Sequence, residues 1–520
     1  MPLAASLLVG IFLSSCASLP EEVIRIESYT IADTGDTTLA QLAGPTNTTD
    51  TGESRFVMLP SGLESFDVRL ALTDLAERSI DIQTFIWKQD SAGTLLAERL
   101  LVAAERGIRV RILVDDINNR DRDEALAALD AHPNIEFRIF NPFGTRSFLL
   151  PINVRRGWEM IRDMSRLNHR MHNKVFVTDN QAAIVGGRNI ADEYFGMSEN
   201  YNFADLDLLI SGAIVDDVSL SFDDYWNSSW AYPITIFTDH PSPPRLEIFY
   251  SRMHENVSSL YSQLGLEQSS PQERRQLLQD LISRAVSARA EIVFDSPDKL
   301  TGGAVDNATE VPQLLQSQTE QTQSELLIGS PYFIPGEGGG GLLAELADRG
   351  VSVKVLTNSL AAADHVSSFS GFSRYRTQVL QNGIELFELK PDQTQFVRET
   401  SITTSTGNGG IHAKAFVFDR ERVFIGSFNL DPRSININTE IGLLIHSEAL
   451  AEELASYFEA MMQPQYSWSP TLNNAGDLVW MEKNPSSVSA DMIYTSDPKA
   501  SFWRRSMTSL FRLLPIEKHL

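Results

Sequence analysis

The sequence contains two copies of a short pattern in which one residue separates a histidine from a lysine. The first copy, HNKVFVTD, runs from His172 to Asp179, and the second, HAKAFVFD, runs from His412 to Asp419. In both copies an aspartate follows five residues after the lysine. Because alternate residues of a β-strand point to the same side, each imidazole is expected to share a face with its ammonium group.

This pairing suits chemistry on a phosphodiester. Lys174 and Lys414 supply positive charge that stabilises non-bridging phosphate oxygens during group transfer. His172 and His412 carry imidazoles with an unperturbed pKa of about 6.5, so they can attack phosphorus or donate a proton near neutral pH. One motif alone would supply only one of the two groups that the transfer needs. Two facing motifs provide a nucleophile on one side and a general acid on the other.

Each motif is followed by an apolar strand and a Gly/Ser turn that ends in asparagine. The turn residues are Gly186, Gly187 and Asn189 in the first copy and Gly426, Ser427 and Asn429 in the second. Asn189 and Asn429 are expected to add neutral hydrogen-bond donors to the phosphate oxygens. A lone His-x-Lys pair is more often structural, but the repeated offset and the repeated turn favour function.

The two motif aspartates complete the set of candidate catalytic residues but differ from the others in position. Asp179 and Asp419 fall on the opposite face, at the end of the strand, so a structural role in the turn is favoured over direct catalysis. A zinc site is disfavoured, because a lysine two residues after the histidine is a poor ligand and repels the ion. The sequence therefore predicts no metal and no other cofactor.

Length and charge limit the remaining possibilities. A chain of 520 residues suggests about two or three folded units. The formal charge of −25 argues against a nucleic-acid partner, which would normally meet a lysine- and arginine-rich surface. The single cysteine, Cys16, excludes an intramolecular disulfide and a cysteine-rich metal site.

The order of predicted elements is the same around both motifs. In the first half, strands at 79–87, 108–114 and 135–140 enclose a helix at 92–106 that ends at Gly107. In the second half, strands at 324–333, 351–357 and 384–389 enclose a helix at 341–349 that ends at Gly350. The motif histidine follows the capping glycine by 65 residues (107 to 172) and by 62 residues (350 to 412). An internal duplication explains this agreement, and the alternation predicts an α/β fold with mixed sheets.

The chain is divided on this basis into six segments. They are a lipoprotein-type signal (1–16), a flexible tether (17–55), the first half (56–230), a surface connector (231–311), the second half (312–470) and a C-terminal extension (471–520). The tether is rich in Thr, Gly, Asp and Ser. The connector carries Pro, Ser and acidic residues, with one helix predicted near 272–288.

Both ends of the chain have features that suit a membrane. An apolar run ends in LSSC at Cys16, which resembles the lipobox of bacterial lipoproteins and predicts acylation of that cysteine. A plain signal peptide or a short anchor is the alternative, and no Lys or Arg precedes Cys16. Near the C-terminus, Trp503, Met507, Leu510 and Leu514 share one face of a predicted helix. This face suits a membrane interface or packs on the body of the protein.

The two motifs are those of the phospholipase D superfamily, which the sequence resembles from about residue 56 onward. Within it, the stretches IQTFIWKQDSAG, GGRNIADEYF, FADLDLLISG, GSFNLDPRS and NTEIGLLI resemble bacterial cardiolipin synthases of the C type. The resemblance implies two duplicated α/β halves with the active site at their pseudo-twofold interface. It also implies a metal-independent transfer through a phosphohistidine, with His172 as the nucleophile and His412 as the acid.

The resemblance adds two acidic residues to the site. Asp205 and Glu440 each precede an apolar strand that follows its motif. The superfamily pairs its histidines with such residues, so we expect His172 to meet Glu440 and His412 to meet Asp205, each across the two halves. Such a carboxylate fixes the tautomer of the imidazole and favours its charged form.

The function implied is phosphatidyl transfer between phospholipids at a bacterial membrane. The expected substrates are phosphatidylglycerol and a second phospholipid, with phosphatidylethanolamine as a further candidate. A phospholipase D-type hydrolase on the same site is the first alternative, and a nuclease of the same superfamily is the second. Phe85, Trp87, Tyr332 and Phe333 are candidate apolar walls that would keep water from the intermediate. The expected location is the cell envelope, on the outer or the inner membrane.

Overall fold

A computed structural model of the protein describes residues 19–20, 22–44, 52–118, 122–144, 152–264, 269–301, 310–392, 408–482, 492–515 and 517. Most strands belong to one continuous mixed sheet, and helices cover its faces. The expected α/β fold of two duplicated halves is confirmed. Strand β1 starts at Glu53, close to the predicted beginning of the folded part.

Parallel strands joined by helices form one side of the first half, and antiparallel strands that carry the motif form the other. The elements up to the end of this half are α1 (Thr38–Ala43), β1 (Glu53–Leu59), α2 (Gly62–Leu75), β2 (Ser79–Thr84), α3 (Ser91–Glu105), β3 (Arg109–Asp115), α4 (Asp123–Asp130), β4 (Ile135–Phe140), α5 (Ile152–Arg162), α6 (Met164–Leu167), β5 (Val175–Thr178), β6 (Ala182–Gly186), β7 (Tyr201–Ala204), β8 (Asp207–Gly212), α7 (Ile214–Trp226) and β9 (Ala231–Pro233).

The second half repeats this order. The intervening elements are α8 (Pro243–Leu264), α9 (Pro271–Ser283) and β10 (Val286–Phe294). They are followed by α10 (Glu310–Gln321), β11 (Glu325–Gly329), α11 (Gly336–Asp348), β12 (Ser352–Asn358), α12 (Val366–Gln381), β13 (Glu385–Leu389), β14 (Asn408–Ile411), β15 (Ala415–Phe418), β16 (Arg422–Gly426), α13 (Pro432–Asn436), β17 (Ile441–His446), α14 (Glu448–Met462), β18 (Ser467–Leu472), β19 (Leu478–Glu482), β20 (Met492–Tyr494) and α15 (Phe502–Arg512).

The pairings place the strands in the order β9-β4-β3-β2-β5-β6-β8-β1-β10-β17-β16-β15-β11-β12-β13-β18-β19-β20. The order is symmetric about the β1–β10 pair, since β8 corresponds to β17, β6 to β16, β5 to β15 and β2 to β11. Strands β1 and β10 run antiparallel, with Phe56 opposite Val286. The halves therefore share one sheet.

This symmetry corrects the boundary that the sequence suggested for the connector, 231–311. Its strand β10 pairs with β17 as β1 pairs with β8, so β10 belongs to the second half. The helix predicted near 272–288 ends at Ser283, and the residues after it enter β10. Among the described helices of this segment, α8 and α9 lie outside the repeat. They pack on the first half, α8 against α3 and α9 against α2.

A common hydrophobic core joins the halves behind the motif strands. It contains Val175 and Val177 from β5 together with Val417 from β15 and Leu443 from β17, all buried. A second link is the parallel pair of β7 and β14, in which Ala204 lies opposite Ile411. Because these contacts cross between the halves directly beside the motif histidines, the interface fixes the geometry of the site.

Part of the predicted tether, 17–55, lies against the first half. Arg25 donates to the carbonyl of Ala231 at 2.9 Å, and the Thr30 amide donates to Asp223 at 2.8 Å. Arg111 donates to the Ser28 carbonyl at 2.7 Å. Residues 22–44 are therefore not a flexible tether. Cys16 and the apolar run before it lie outside the described residues, so acylation stays a prediction.

The C-terminal helix α15 packs with its polar side inward. Thr508 is buried, and Arg504 donates to the Leu360 carbonyl at 2.8 Å. Trp503 is 70 % exposed and Leu513 is 82 % exposed. Phe502, Trp503 and Leu510 of this helix therefore face solvent, whereas Met507 and Phe511 are partly buried. No helix in the described ranges is long and apolar enough to cross a membrane.

Candidate active site

The first motif histidine is held by the second half of the chain. The His172 amide donates to the carbonyl of Thr439 at 2.9 Å, and its Nδ1 lies 2.8 Å from an oxygen of Glu440. Met171 and Thr439 form a parallel β-bridge at this point. His172 is 6 % exposed and Glu440 is fully buried. The backbone contact and the side-chain contact together set the direction of the imidazole.

The second motif repeats this arrangement with the halves exchanged. The His412 amide donates to the carbonyl of Ala204 at 2.7 Å, and its Nδ1 lies 2.6 Å from an oxygen of Asp205. His412 is 5 % exposed. The structure thus brings together the two pairs that the sequence resemblance suggested. In both, Nδ1 is engaged by a carboxylate and Nε2 is left for the substrate.

The turn after the first motif strand leaves room for this carboxylate. A Cβ atom on Gly187 would lie 2.1 Å from an oxygen of Asp205, closer than any side chain tolerates. In the second half, Ser427 occupies the corresponding position and donates its hydroxyl to Glu440 at 2.5 Å. In the first half the turn accommodates Asp205 because Gly187 has no side chain. In the second half the turn holds the longer Glu440 through the hydrogen bond from Ser427.

Both motif lysines fold back toward their own histidine. Lys174 donates to the carbonyl of His172, and Lys414 donates to the carbonyl of His412. Lys414 Nζ also lies 2.9 Å from Nδ1 of His412. That nitrogen cannot accept from Lys414 while it donates to Asp205, so the shorter contact to the carboxylate decides the tautomer. Both ammonium groups are buried and lie beside the imidazoles, where a phosphate would sit.

The motif aspartates lie away from the imidazoles, in the turns at the ends of β5 and β15. The Asp179 carboxylate accepts the backbone amides of Glu77 (2.9 Å), Arg78 (2.7 Å) and Ser79 (2.9 Å). Asp419 does the same with three consecutive amides, from Gln323 to Glu325. Both have positive φ, 51° and 56°, which aspartate tolerates in tight turns. These contacts make them structural.

The two asparagines differ in their surroundings. Asn189 accepts the amide of Ile86 at 3.1 Å, so its oxygen is engaged. The side-chain oxygen of Asn429 is buried and has no hydrogen-bond partner among the described residues. An amide with a free oxygen beside a phosphate site is available for a substrate hydroxyl or a water. Both side chains are buried behind their motif strands.

The electrostatics of the two histidine–acid pairs are unequal. Burial, reinforced by Lys174 and Lys414, holds the pKa of His172 well below its usual value. Burial also raises the pKa of Glu440 to about 7, against the opposing effect of Lys174. Both shifts favour the neutral forms of His172 and Glu440 over a charged pair.

The second pair has more ionic character. Burial works to raise the pKa of Asp205, but His412 and Lys414 outweigh it and hold the pKa below its usual range. Burial and Lys414 lower the pKa of His412, and Asp205 opposes that shift. An ionised carboxylate at 2.6 Å favours the imidazolium, so His412 is the better proton donor of the two.

Several supporting residues could not have been found by the motifs. Ser434 donates to Glu440 at 2.8 Å. Asp295, just after β10, accepts the Glu440 amide at 3.1 Å and is paired with Lys299 at 2.7 Å. Ser434 belongs to the stretch GSFNLDPRS, whereas Asp295 and Lys299 lie in the predicted connector, in a stretch whose Pro and acidic content suggested a surface loop. Only the pairing of β10 with β17 brings them beside Glu440.

Aromatic rings flank the imidazoles. The ring of Phe85 lies 5.1 Å from that of His172, and the rings of Tyr194 and Phe203 lie 5.0 and 4.8 Å from that of His412. Of the other predicted walls, Trp87 and Phe333 are buried in the cores of their halves, and the Tyr332 hydroxyl donates to Asp364 at 2.6 Å. Within the described part of the chain, no group of three or more His, Cys, Asp or Glu side chains could hold a metal ion.

The geometry is that of a site built from two equivalent motifs, and the comparisons with known proteins agree with it. The family described as "Cardiolipin synthase, PLD-like domain" matches residues 70–226 and 315–462, one region in each half. The chain belongs to this family. The matched regions contain both His-x-Lys motifs, and they leave out α8, α9 and the C-terminal elements from β18 onward.

Relatives with curated names support the same membership. The protein called cardiolipin synthase C in Escherichia coli (strain K12) is 38 % identical over 473 residues, covering 90 % of this chain and 96 % of that protein. A cardiolipin synthase of Clostridium perfringens (strain SM101) is 26 % identical and covers 74 % of this chain and 65 % of that protein.

A solved structure shares the fold. The crystal structure of phosphatidylserine synthase from Haemophilus influenzae Rd KW20 superimposes with a TM-score of 0.52 at 18 % identity, covering 84 % of this chain and 92 % of that one. At this identity the similarity concerns the fold of the phospholipase D-like family and not the substrate.

Proposed function

We propose that this protein is a phosphatidyltransferase that moves a phosphatidyl group from one phospholipid to a free hydroxyl of another, forming cardiolipin from phosphatidylglycerol and a second phospholipid. The observation that carries the proposal is that each motif histidine contacts an acidic residue of the other half. His172 contacts Glu440, and His412 contacts Asp205. Membership of the cardiolipin synthase family supports the choice of substrate class.

The first step would be attack of His172 Nε2 on phosphorus. A P–N bond forms, the P–O bond to the leaving alcohol breaks, and His412 gives its proton to the departing oxygen. Lys174 and Lys414 would stabilise the charge on the non-bridging oxygens. In the second step, the neutral His412 takes the proton of the acceptor hydroxyl, whose oxygen attacks phosphorus and restores His172.

The assignment of His172 as nucleophile is supported by the unequal pairs. A nucleophile must be neutral, and the pKa of His172 is held well below its usual value by burial and by both lysines. Ser427 accepts the Ile441 amide at 3.0 Å, and its hydroxyl proton points to Glu440 at 2.5 Å in preference to the more distant Ile441 carbonyl at 3.3 Å. Glu440 therefore acts as an acceptor, and Nδ1 of His172 carries the donated proton. This leaves the lone pair of Nε2 free.

Transfer to a lipid requires that water reaches the intermediate slowly. Both imidazoles are about 95 % buried and have aromatic rings beside them, which favours a hydroxyl delivered by a lipid over bulk water. Hydrolysis remains the competing outcome on the same phosphohistidine. The two functions differ only in the acceptor, so the product mixture separates them.

The proposed partner surface is a membrane, contacted by α15. Its outward side presents Phe502, Trp503, Leu510 and Leu513, an aromatic and aliphatic set that suits the interfacial region of a bilayer. Arg504 of this helix also holds the loop at Leu360, and the Ala362 carbonyl in that loop accepts the Tyr201 hydroxyl at 2.7 Å. Tyr201 packs on Phe203, beside His412. The helix is thereby tied to one side of the site.

We also propose a cell-envelope location with acylation of Cys16.

The function can be tested in bacterial cells that lack cardiolipin synthases. Expression of the protein should restore cardiolipin, and His172→Ala or His412→Ala should each abolish it at equal protein level. Accumulation of phosphatidic acid without cardiolipin would establish the hydrolase instead. Full activity of either single variant would contradict the two-histidine mechanism.

A further inference from the structure

A cavity of about 680 Å³ opens on the first half and does not include the motif histidines. Its walls come from α3, α4 and α8 and from the residues just after β2. The volume falls within the range of about 300–1,000 Å³ that is usual for small-molecule sites. Helix α8 adds a wall that the repeat does not provide, since no element among the described residues of the second half is equivalent to α8.

The floor of the cavity is apolar. Trp87, Leu126, Leu129 and Met253 line it and are each less than a tenth exposed. Phe249 of α8 lines it as well. Such a floor favours a ligand with a hydrocarbon chain, because burial of apolar surface away from water is favourable.

The rim is basic. Arg122, Arg245 and Arg252 line the cavity, and Glu124 is the acidic residue among the lining side chains. Arg122 donates to the carbonyl of Trp87, while the Arg245 and Arg252 guanidinium groups are exposed and have no hydrogen bond or ion pair within the described ranges. Arg245 and Arg252 thus place two positive charges, without a partner among the described residues, above an apolar floor in a chain with a formal charge of −25. Guanidinium groups bind phosphate oxygens in a bidentate manner.

Two of these arginines, Arg245 and Arg252, lie on a helix outside the catalytic repeat. Arg245, Phe249, Arg252 and Met253 all belong to α8, which lies between the two family regions, 70–226 and 315–462. Helix α8 thus completes a cavity against α3 and α4 that the repeat alone would leave as an open groove. An added helix that carries both apolar and cationic lining residues matches an amphiphilic ligand with a negative charge.

The cavity is connected to the active site through backbone contacts. Trp87 forms a parallel bridge with Ile190, and the Lys88 amide donates to the Ile190 carbonyl at 2.8 Å. Ile190 follows Asn189, whose side chain holds the amide of Ile86 at 3.1 Å. A ligand that packs on Trp87 therefore acts on the segment that positions Asn189.

We propose that this cavity binds one phospholipid at a site separate from the His172–His412 centre. An acyl chain lies on the floor formed by Trp87, Leu129 and Met253, and the phosphate is held by Arg245 and Arg252. The ligand is not transformed there. Its acyl chain and its anionic headgroup are both required for binding, which distinguishes it from a fatty alcohol and from inorganic phosphate.

The test uses the full-length protein and phosphatidylglycerol that carries a photoreactive diazirine at the middle of one acyl chain, presented in mixed micelles. Labelled peptides are mapped by mass spectrometry. We expect label in peptides that contain Trp87, Leu129 or Met253, and labelling reduced at least tenfold in Arg245→Glu/Arg252→Glu and in Met253→Trp. The matched control, Arg275→Glu/Arg289→Glu, changes the charge equally at exposed positions outside the cavity and should label normally.

Each alternative result overturns the proposal. Absence of label in these peptides, or equal labelling of the arginine variant, excludes a phospholipid held by phosphate and chain together. Equal labelling by a photoreactive fatty alcohol shows an apolar site without headgroup recognition. Protection of Arg245 and Arg252 from phenylglyoxal by inorganic phosphate, without lipid labelling, shows a phosphate site only. The experiment is repeated in His172→Ala/His412→Ala, where the labelling should persist even if the proposed transfer reaction fails.

Discussion

Nδ1 of His172 lies 2.8 Å from the carboxylate of Glu440, and these two residues belong to different halves of the chain. The contact is accompanied by a backbone hydrogen bond from His172 to Thr439, the residue before Glu440. His412 makes the equivalent contacts with Ala204 and Asp205, with the halves exchanged. Each half therefore lacks the acidic partner of its own histidine without the other half. The site is therefore a property of the folded pair.

Substitution of Glu440 by glutamine should lower kcat by about 10- to 100-fold with little change in KM, because the amide keeps the shape but cannot accept the Nδ1 proton as positive charge develops on the imidazole during attack. The measurement is steady-state kinetics on phosphatidylglycerol vesicles. Glu421→Gln, at an exposed residue of the β15–β16 turn, is the control and should behave as the wild type. An unchanged kcat in Glu440→Gln would mean that Glu440 has no influence on the reaction.

The two histidine variants should differ on a substrate whose leaving group needs no proton. With phosphatidyl-p-nitrophenol, His412→Ala should release about one p-nitrophenol per enzyme in a burst and accumulate a phosphatidyl adduct on the peptide that contains His172. His172→Ala should show no burst. Rapid-mixing absorbance and peptide mass spectrometry provide the readout. The opposite pattern would assign the nucleophile to His412.

Binding of a phosphate analogue such as vanadate should weaken as pH rises from 6 to 9. Burial lowers the pKa of Lys174 to about 7 and that of Lys414 to about 8. A bound dianion raises both values, so protons are taken up on binding and affinity falls once the free lysines are neutral. Inhibition constants measured against pH test this. Lys414→Arg stays charged, so its affinity should fall less, and an identical pH profile would contradict the assignment.

Replacing Asp179 by asparagine should reduce stability and leave the chemistry of the folded enzyme intact. The carboxylate accepts three backbone amides at the start of β2, and a neutral amide accepts them less strongly. We expect a loss of about 1–3 kcal/mol in the free energy of unfolding. Urea unfolding gives the stability, and kcat per folded enzyme gives the chemistry. A kcat loss of 100-fold at full folding would instead place Asp179 in the reaction.

Acidic substitutions on the outward face of α15 should weaken vesicle binding. Trp503→Glu/Leu513→Glu is expected to reduce co-sedimentation with phosphatidylglycerol-containing vesicles by at least tenfold, because both side chains are exposed and apolar. Gln272→Glu/Gln279→Glu, on the exposed side of α9, adds the same charge away from this face. Equal loss in both variants would attribute the effect to net charge, and no loss in either would exclude α15 as a contact surface.

The sequence determined those features that depend on local spacing. The repeated offsets to Asp179 and to the turn at Asn189 identify the duplication. His172 and Lys174 themselves lie just before β5 and not within a strand, so it is the contact of Lys174 with the His172 carbonyl that brings them together. The strands and helices around Gly107 and Gly350 were predicted within a few residues for the same reason. Strand β2 ends at Thr84 and not at residue 87, and α11 begins at Gly336, where a glycine-rich start hides its helical pattern.

The errors lie where long-range pairing overrides local pattern. Residues 286–288 continue a helical pattern but form β10, because β1 and β17 offer unpaired edges on both sides. Residues 22–44 have little apolar periodicity, yet their backbone groups are satisfied by side chains such as Asp223 and Arg111. A polar segment of this kind is held by hydrogen bonds to residues that are distant in the sequence, so a local sequence pattern does not reveal them.

The sequence by itself determined which residue types are candidates for the chemistry and that there are two sets of them. The tertiary structure decided how the two sets differ. Glu440 is buried among Ser427, Ser434 and the Asp295–Lys299 pair, whereas Asp205 lies against Gly187 with His412 and Lys414 near it. Burial and neighbouring charge, which depend on the whole fold, raise the pKa of Glu440 and lower that of Asp205, although the two motifs are nearly identical in sequence.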